Sequence, residues 1–152
     1  MRIAVASDHA GFPLKAAVVD ELRQLGHDVT DLGVDSPISV DFPDYAARVG
    51  RAIQGGAADR GVLLCGSGVG MAIAANKLHG VRACVTHDTY SAHQGVEHDS
   101  MNVLCLGSRV IGEAVARELV RAFAGAELHR AERFLRRLDK ITQLEKGTQV
   151  HR

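Results

Sequence analysis

The chain has 152 residues, 46% of them hydrophobic and 24% charged, with 18 basic side chains balancing 18 acidic ones. That length can bury a single core without disulfides or metals, and the composition is that of an ordinary globular domain. The balanced charge argues against the basic footprint of nucleic-acid binding, and no window approaches the ~18 apolar residues of a membrane span.

In chain order, the N-terminal run Met1 to Ala6 lacks a charged segment followed by a cleavable apolar one, so a cytoplasmic protein is expected. Arg2 to Ala6 predicts the first strand. After Pro13, the residues Leu14, Val18, Leu22 and Leu25 mark one face of a helix, with proline in its first turn and Gly26 just past its end. Strands are then expected over Asp28 to Leu32, Gly61 to Cys65, Val81 to Val85 and Asn102 to Leu106. Helices are expected over Pro43 to Gln54, Gly68 to Leu78, Asp88 to Glu97, Gly112 to Ala124 and Ala131 to Leu144. Strand and helix alternate without a linker or repeat, which predicts one α/β domain over 1–152, a three-layer Rossmann-like sandwich around a five-stranded parallel sheet. The pattern leaves the strand order open.

In such sheets ligands bind beyond the carboxyl ends of the strands. The loops expected there are Ser7-Asp8-His9-Ala10-Gly11, Cys65-Gly66-Ser67-Gly68-Val69-Gly70, Thr86-His87-Asp88 and Gly107-Ser108-Arg109. The second is the most informative, because its glycines let backbone N–H groups converge on an anion or oxyanion. It lacks the lysine of a phosphate-binding P-loop. It also fails the dinucleotide fingerprint, whose third glycine would fall on Met71 or Ile73. Cys65 ends a strand and opens onto a helix N-terminus, which favours a thiolate and makes it a candidate base or nucleophile. Cys84 and Cys105 lie within apolar runs and read as small core residues, and no disulfide framework is expected.

Asp8 and His9 follow the first strand, where an acid and an imidazole can orient a hydroxyl or bind an anion. His87, His93 and His98 are spaced by 6 and 5, which does not align rings on one helical face, so no zinc site is expected. Arg133 and Arg137 stand one helical turn apart beside a stripe of Phe134, Leu138 and Ile141. Two guanidinium forks in that arrangement, with Arg109, suit a phosphate monoester.

From Ile3 to about Leu144 the sequence resembles ribose-5-phosphate isomerase type B and the galactose-6-phosphate isomerase subunits. The resemblance rests on Ser7 to Gly11, Asp41-Phe42-Pro43-Asp44-Tyr45-Ala46, Cys65 to Gly70, Ala74-Ala75-Asn76-Lys77, Asn102 to Val110 and Arg133 to Ile141. It implies that Cys65 moves a proton between C2 and C1 of an open-chain sugar phosphate through a cis-enediolate. Ser67 and the amides of Gly66, Gly68, Val69 and Gly70 would hold the oxyanion. His98, assisted by Asp8, would open the sugar ring, and His9, Arg109, Arg133 and Arg137 would hold the phosphate. The helix at 131–144 thus completes the phosphate site. The resemblance implies no metal or organic cofactor. It implies a homodimer or dimer of dimers whose active sites combine the glycine loop of one chain with His98 or the arginine helix of its neighbour. A branch without the cysteine carries a glutamate where this chain has Met71, which places this chain with the cysteine branch.

Two departures fall at the substrate end of the site: Asp99 stands where the family usually has asparagine, and Phe134 where a histidine often follows the first arginine. A carboxylate accepts but does not donate, so the choice of sugar is open among ribose 5-phosphate, a tetrose 4-phosphate, allose 6-phosphate and galactose 6-phosphate. The competing classes are a nucleotide-binding α/β module and a catalytically silent sugar-phosphate binder.

Overall fold

A computed structural model describes residues 1–147; residues 148–152 of the expected domain lie outside the described residues. The aliphatic runs form β1 (Arg2–Ser7), β2 (Asp28–Asp31), β3 (Arg60–Cys65), β4 (Ala83–Val85) and β5 (Val103–Gly107). Between and after them run α1 (Phe12–Gln24), α2 (Phe42–Gln54), α3 (Val69–Ala75), α4 (Thr89–Asp99), α5 (Glu113–Gly125) and α6 (Glu132–Glu145). All ladders are parallel, and the sheet order is β2-β1-β3-β5-β4. This is the expected three-layer α/β sandwich. Among the described residues no helix is long and apolar enough to cross a membrane.

Alternate side chains of the strands feed two cores. Ile3, Val5, Val62, Leu64, Leu104 and Leu106 pack against α1, α4 and α5. Ala4, Ala6, Leu63, Cys65, Val103 and Cys105 pack against α2 and α3 on the other face. Strands buried on both faces read as continuous aliphatic runs. Buried Glu21 links α1 to α5 by accepting from Arg121 and Arg117, and these two guanidinium groups hold its carboxyl below the usual carboxylate range.

Three elements are shorter than their sequence patterns, β2 by Leu32 alone. Strand β4 loses Val81 and Arg82 because the Arg82 backbone and guanidinium bond to Asn102 and Ser100 instead of extending the ladder. Helix α3 ends at Ala75, where the Asn76 side chain exchanges two 2.8 Å hydrogen bonds with the backbone of Ala83.

Cys84 corrects its sequence reading: it is exposed rather than a core residue. It occupies the middle of β4, the terminal strand of the sheet, and borders an open cavity of about 620 Å³. Cys105 is buried as expected, and burial pushes its thiol well above the ordinary range.

Candidate active site

Strand β1 has β2 on one side and β3 on the other, so the loops after β1 and β3 diverge and leave a crevice, the usual ligand position in open parallel sheets. The crevice here is a cleft of about 480 Å³ lined by Asp8, His9, Cys65, Gly66, Ser67 and Arg109, among others.

Glycines let the backbones forming this cleft touch. A Cβ on Gly11 would collide with the Leu64 carbonyl, and one on Gly107 would stand 2.7 Å from the Ser67 backbone. Gly68 adopts a left-handed φ of 81°, which turns the chain from β3 into α3. The glycine loop is then tied to the loop after β5: the Ser108 amide donates to the Cys65 carbonyl at 2.9 Å and the Arg109 amide to that of Gly66 at 3.0 Å. The Ser108 hydroxyl donates to the Ala10 carbonyl at 2.6 Å, which joins the β1 loop to the same unit.

The side chains are held within this frame. The Gly68 amide donates to Cys65 Sγ at 3.0 Å, which ties the sulfur to the turn of the glycine loop. Ser67 is exposed, and its Oγ accepts from the Val69 amide at 3.2 Å. The Val69 side chain is exposed, and Gly70 leaves room for the Phe42 ring. Asp8 is buried, with Oδ1 accepting from the Gly11 amide at 2.8 Å, so it shapes the entry to α1 while bordering the cleft. His9 Nδ1 accepts from the Val40 amide at 3.3 Å, which leaves the Nε2 proton free to donate.

His98, Asp99, Arg133 and Arg137 do not join this group within one chain. Helix α4 leaves the carboxyl end of β4 and descends to the amino end of β5, so His98 near its C-terminus lies at the opposite edge of the sheet from Cys65. The five residues of β5 correspond to about 16 Å of strand between these edges. The anchor is explicit: Ser100, just past α4, accepts from Arg82 immediately before β4.

At that lower edge the residues form a second cluster. His98 Nδ1 bonds Gln94 Nε2 at 2.8 Å, and its ring stacks on Phe134. The Arg133 and Arg137 guanidinium carbons stand 4.7 and 5.9 Å from the Phe134 ring centroid, so both cations and the imidazole share one aromatic platform. Asp99 lines the cavity that Cys84 borders.

Sequence reasoning missed three members of this cluster. Gln94 was legible as the residue one helical turn before His98. His129, whose ring centroid is 5.5 Å from that of His98, has no such signal because a separate connector brings it there through its amide bond to the Glu97 carbonyl. Glu97, His98 and His129 place potential metal-ligand atoms within 4.8 Å of one another. Glu97 already pairs with His93 at 3.1 Å, and His98 Nδ1 is held by Gln94.

The ribose/galactose isomerase family matches residues 3–141. Ribose-5-phosphate isomerase B of Escherichia coli is 43% identical over 144 residues, covering 95% of this chain and 96% of that protein. D-erythrulose-4-phosphate isomerase of Pectobacterium atrosepticum is 43% identical over 131 residues, 84% of each chain. The structure of ribose-5-phosphate isomerase B from Mycoplasma genitalium with bound ribulose-5-phosphate superposes with a TM-score of 0.90 at 37% identity, covering 97% of both chains. With a near-full-length match in sequence and in fold, the chain belongs to the ribose/galactose isomerase family.

Proposed function

We propose that this chain interconverts an aldose phosphate and its ketose, with ribose 5-phosphate and ribulose 5-phosphate as the pair, through proton transfer by Cys65. The observation that carries the reading is the Cys65 sulfur held by the Gly68 amide in a cleft shared with Asp8, Ser67 and Arg109. As thiolate, Cys65 takes the proton from C2 of the open-chain aldose, and the C1 carbonyl oxygen gains the electron pair as a cis-enediolate. The same thiol returns the proton to C1 while the C2 hydroxyl proton passes to O1, so that the C2 oxygen becomes the ketone carbonyl and O1 the hydroxyl. Ser67 and the amides of the glycine loop stabilise the oxyanion, a contribution whose loss commonly costs ~10²–10³ in turnover. His9 through Nε2–H and Arg109 bind anionic oxygens at the cleft.

The ring-opening and remaining phosphate groups, His98, Asp99, Arg133 and Arg137, come from a second copy of the chain. The opposite-edge placement of Cys65 and His98 supports this assembly, because one chain does not bring them together. Exposed Val69, Ile73, Tyr90, Ile141 and Leu144 supply apolar surface for such a contact. Mixing the Cys65→Ala and His98→Asn variants is expected to regain activity on subunit exchange. No recovery despite proven exchange would place the whole site within one chain.

A second reading, a tetrose 4-phosphate as substrate, is favoured by the 43%-identical erythrulose-phosphate relative. A coupled assay over tetrose, pentose and hexose phosphates tests both readings. Turnover of ribose 5-phosphate with the highest kcat/KM is expected, a preference for the tetrose selects the second reading, and no turnover of any aldose phosphate removes both.

A further inference from the structure

Strand β4 ends at Val85 while its neighbour β5 continues to Gly107. The Gly107 N–H therefore has no β4 carbonyl to continue the ladder, and it donates instead to Nε2 of His87 at 3.0 Å. Accepting that bond requires a neutral imidazole with its lone pair on Nε2 and its proton on Nδ1. Gly107 is buried against the backbone of Ser67, and the next two amides hold the carbonyls of Cys65 and Gly66. Three successive N–H groups thus leave the end of β5: the first is held by His87, and the other two hold the loop that carries the thiol.

We propose that His87 is a positioning residue of the isomerase site, fixing the segment Gly107–Arg109 by accepting the Gly107 N–H and thereby setting the place of Cys65 and Ser67. The inference rests on the proton-transfer role of Cys65 given above. His87 is not among the residues lining the cleft and acts through Gly107. Without an acceptor, the Gly107 amide is buried unpaired, and the segment shifts to find one. A displacement of about 1 Å at a reacting group is enough to cost up to ~10² in rate.

The test compares His87→Leu, which fills the space without an acceptor, with His87→Gln, whose amide oxygen reaches a similar position. Circular dichroism confirms the fold of each, and His87→Ala replaces the leucine variant if that one does not fold. The acceptor-free variant is expected to lose about tenfold or more in kcat with KM little changed, and His87→Gln to recover most of that loss. Hydrogen exchange at the Gly107 amide, followed by ¹⁵N NMR, is expected to quicken without the acceptor and to slow again in His87→Gln. Wild-type kcat in the acceptor-free variant, or no recovery by glutamine, overturns the inference. The exchange measurement needs no substrate. Absence of turnover in the wild-type chain on every sugar phosphate therefore sinks the isomerase reading, whereas full turnover without the acceptor sinks only the role of His87.

Discussion

The imidazole of His98 lies on the ring of Phe134, centroids 4.3 Å apart and planes inclined by 22°. Phe134 is buried, and it is the only residue of α6 that is. It therefore serves as the platform for the His98 imidazole and as the anchor of the arginine helix.

Asp99 is the departure we expect to bear on sugar choice. Asp99→Asn replaces an acceptor-only carboxylate with a donor and is expected to raise kcat/KM for ribose 5-phosphate over a tetrose 4-phosphate by about tenfold. Phe134→His is expected to leave that ratio unchanged while lowering the thermal midpoint, because it places a polar ring in an apolar seat. Competition assays and thermal melts separate the two effects.

Cys65→Ala removes the proposed proton carrier and little volume. Turnover is expected to fall by at least ~10³, while the thermal midpoint and phosphate affinity change little. In the wild-type reaction, run in heavy water, deuterium should enter the product at C1 or C2. Complete retention of the substrate hydrogen would favour hydride shift over enediolate chemistry.

Gly11 has no room for a side chain, since a Cβ there meets the Leu64 carbonyl itself rather than a movable side chain. Gly11→Ala is expected to destabilise the fold by about 1–3 kcal/mol and to move the Asp8 loop, which depends on the Gly11 amide. Denaturant melts measure the first effect and kcat/KM the second. Gly112→Ala, at a glycine with open space around it, serves as the control and should be nearly neutral.

The Arg2 guanidinium beside Asp59 holds its carboxyl down to about 2 from an ordinary 3.8. A carboxyl depressed in the folded state contributes stability that is present above about pH 4 and lost as pH falls through about 2. Asp59→Asn should therefore melt a few degrees below wild type at pH 6, with the gap closing between pH 4 and pH 2. Both side chains are substantially exposed, so added salt should narrow the gap at pH 6 as well.

The positions of strands and helices are legible because runs such as Gly61 to Cys65 and Asn102 to Leu106 are continuously aliphatic, as strands covered on both faces must be. Their order is not, because an aliphatic run does not identify its neighbour. That gap hides one feature: Cys84 reads as core until β4 is seen to be the terminal strand. Asp8, His9, Cys65 and Ser67 are legible as a group because each lies at or just after a strand end. The burial of Phe134 is not: the stripe Phe134, Leu138 and Ile141 predicts a docked face, yet only its first member is buried. The dependence of Gly107 on His87 is equally silent, since it arises where two adjacent strands end at different heights.

The two-ended layout of the chain also has a kinetic signature. On the assembly proposed above, a protomer with its thiol at one edge of the sheet and its imidazole at the other would have no complete site when alone. Specific activity should then vary with enzyme concentration, falling on dilution along the dissociation curve of the assembly. Substrate bridging both halves should oppose that loss, so activity decays more slowly when the enzyme is diluted into saturating sugar phosphate than into buffer.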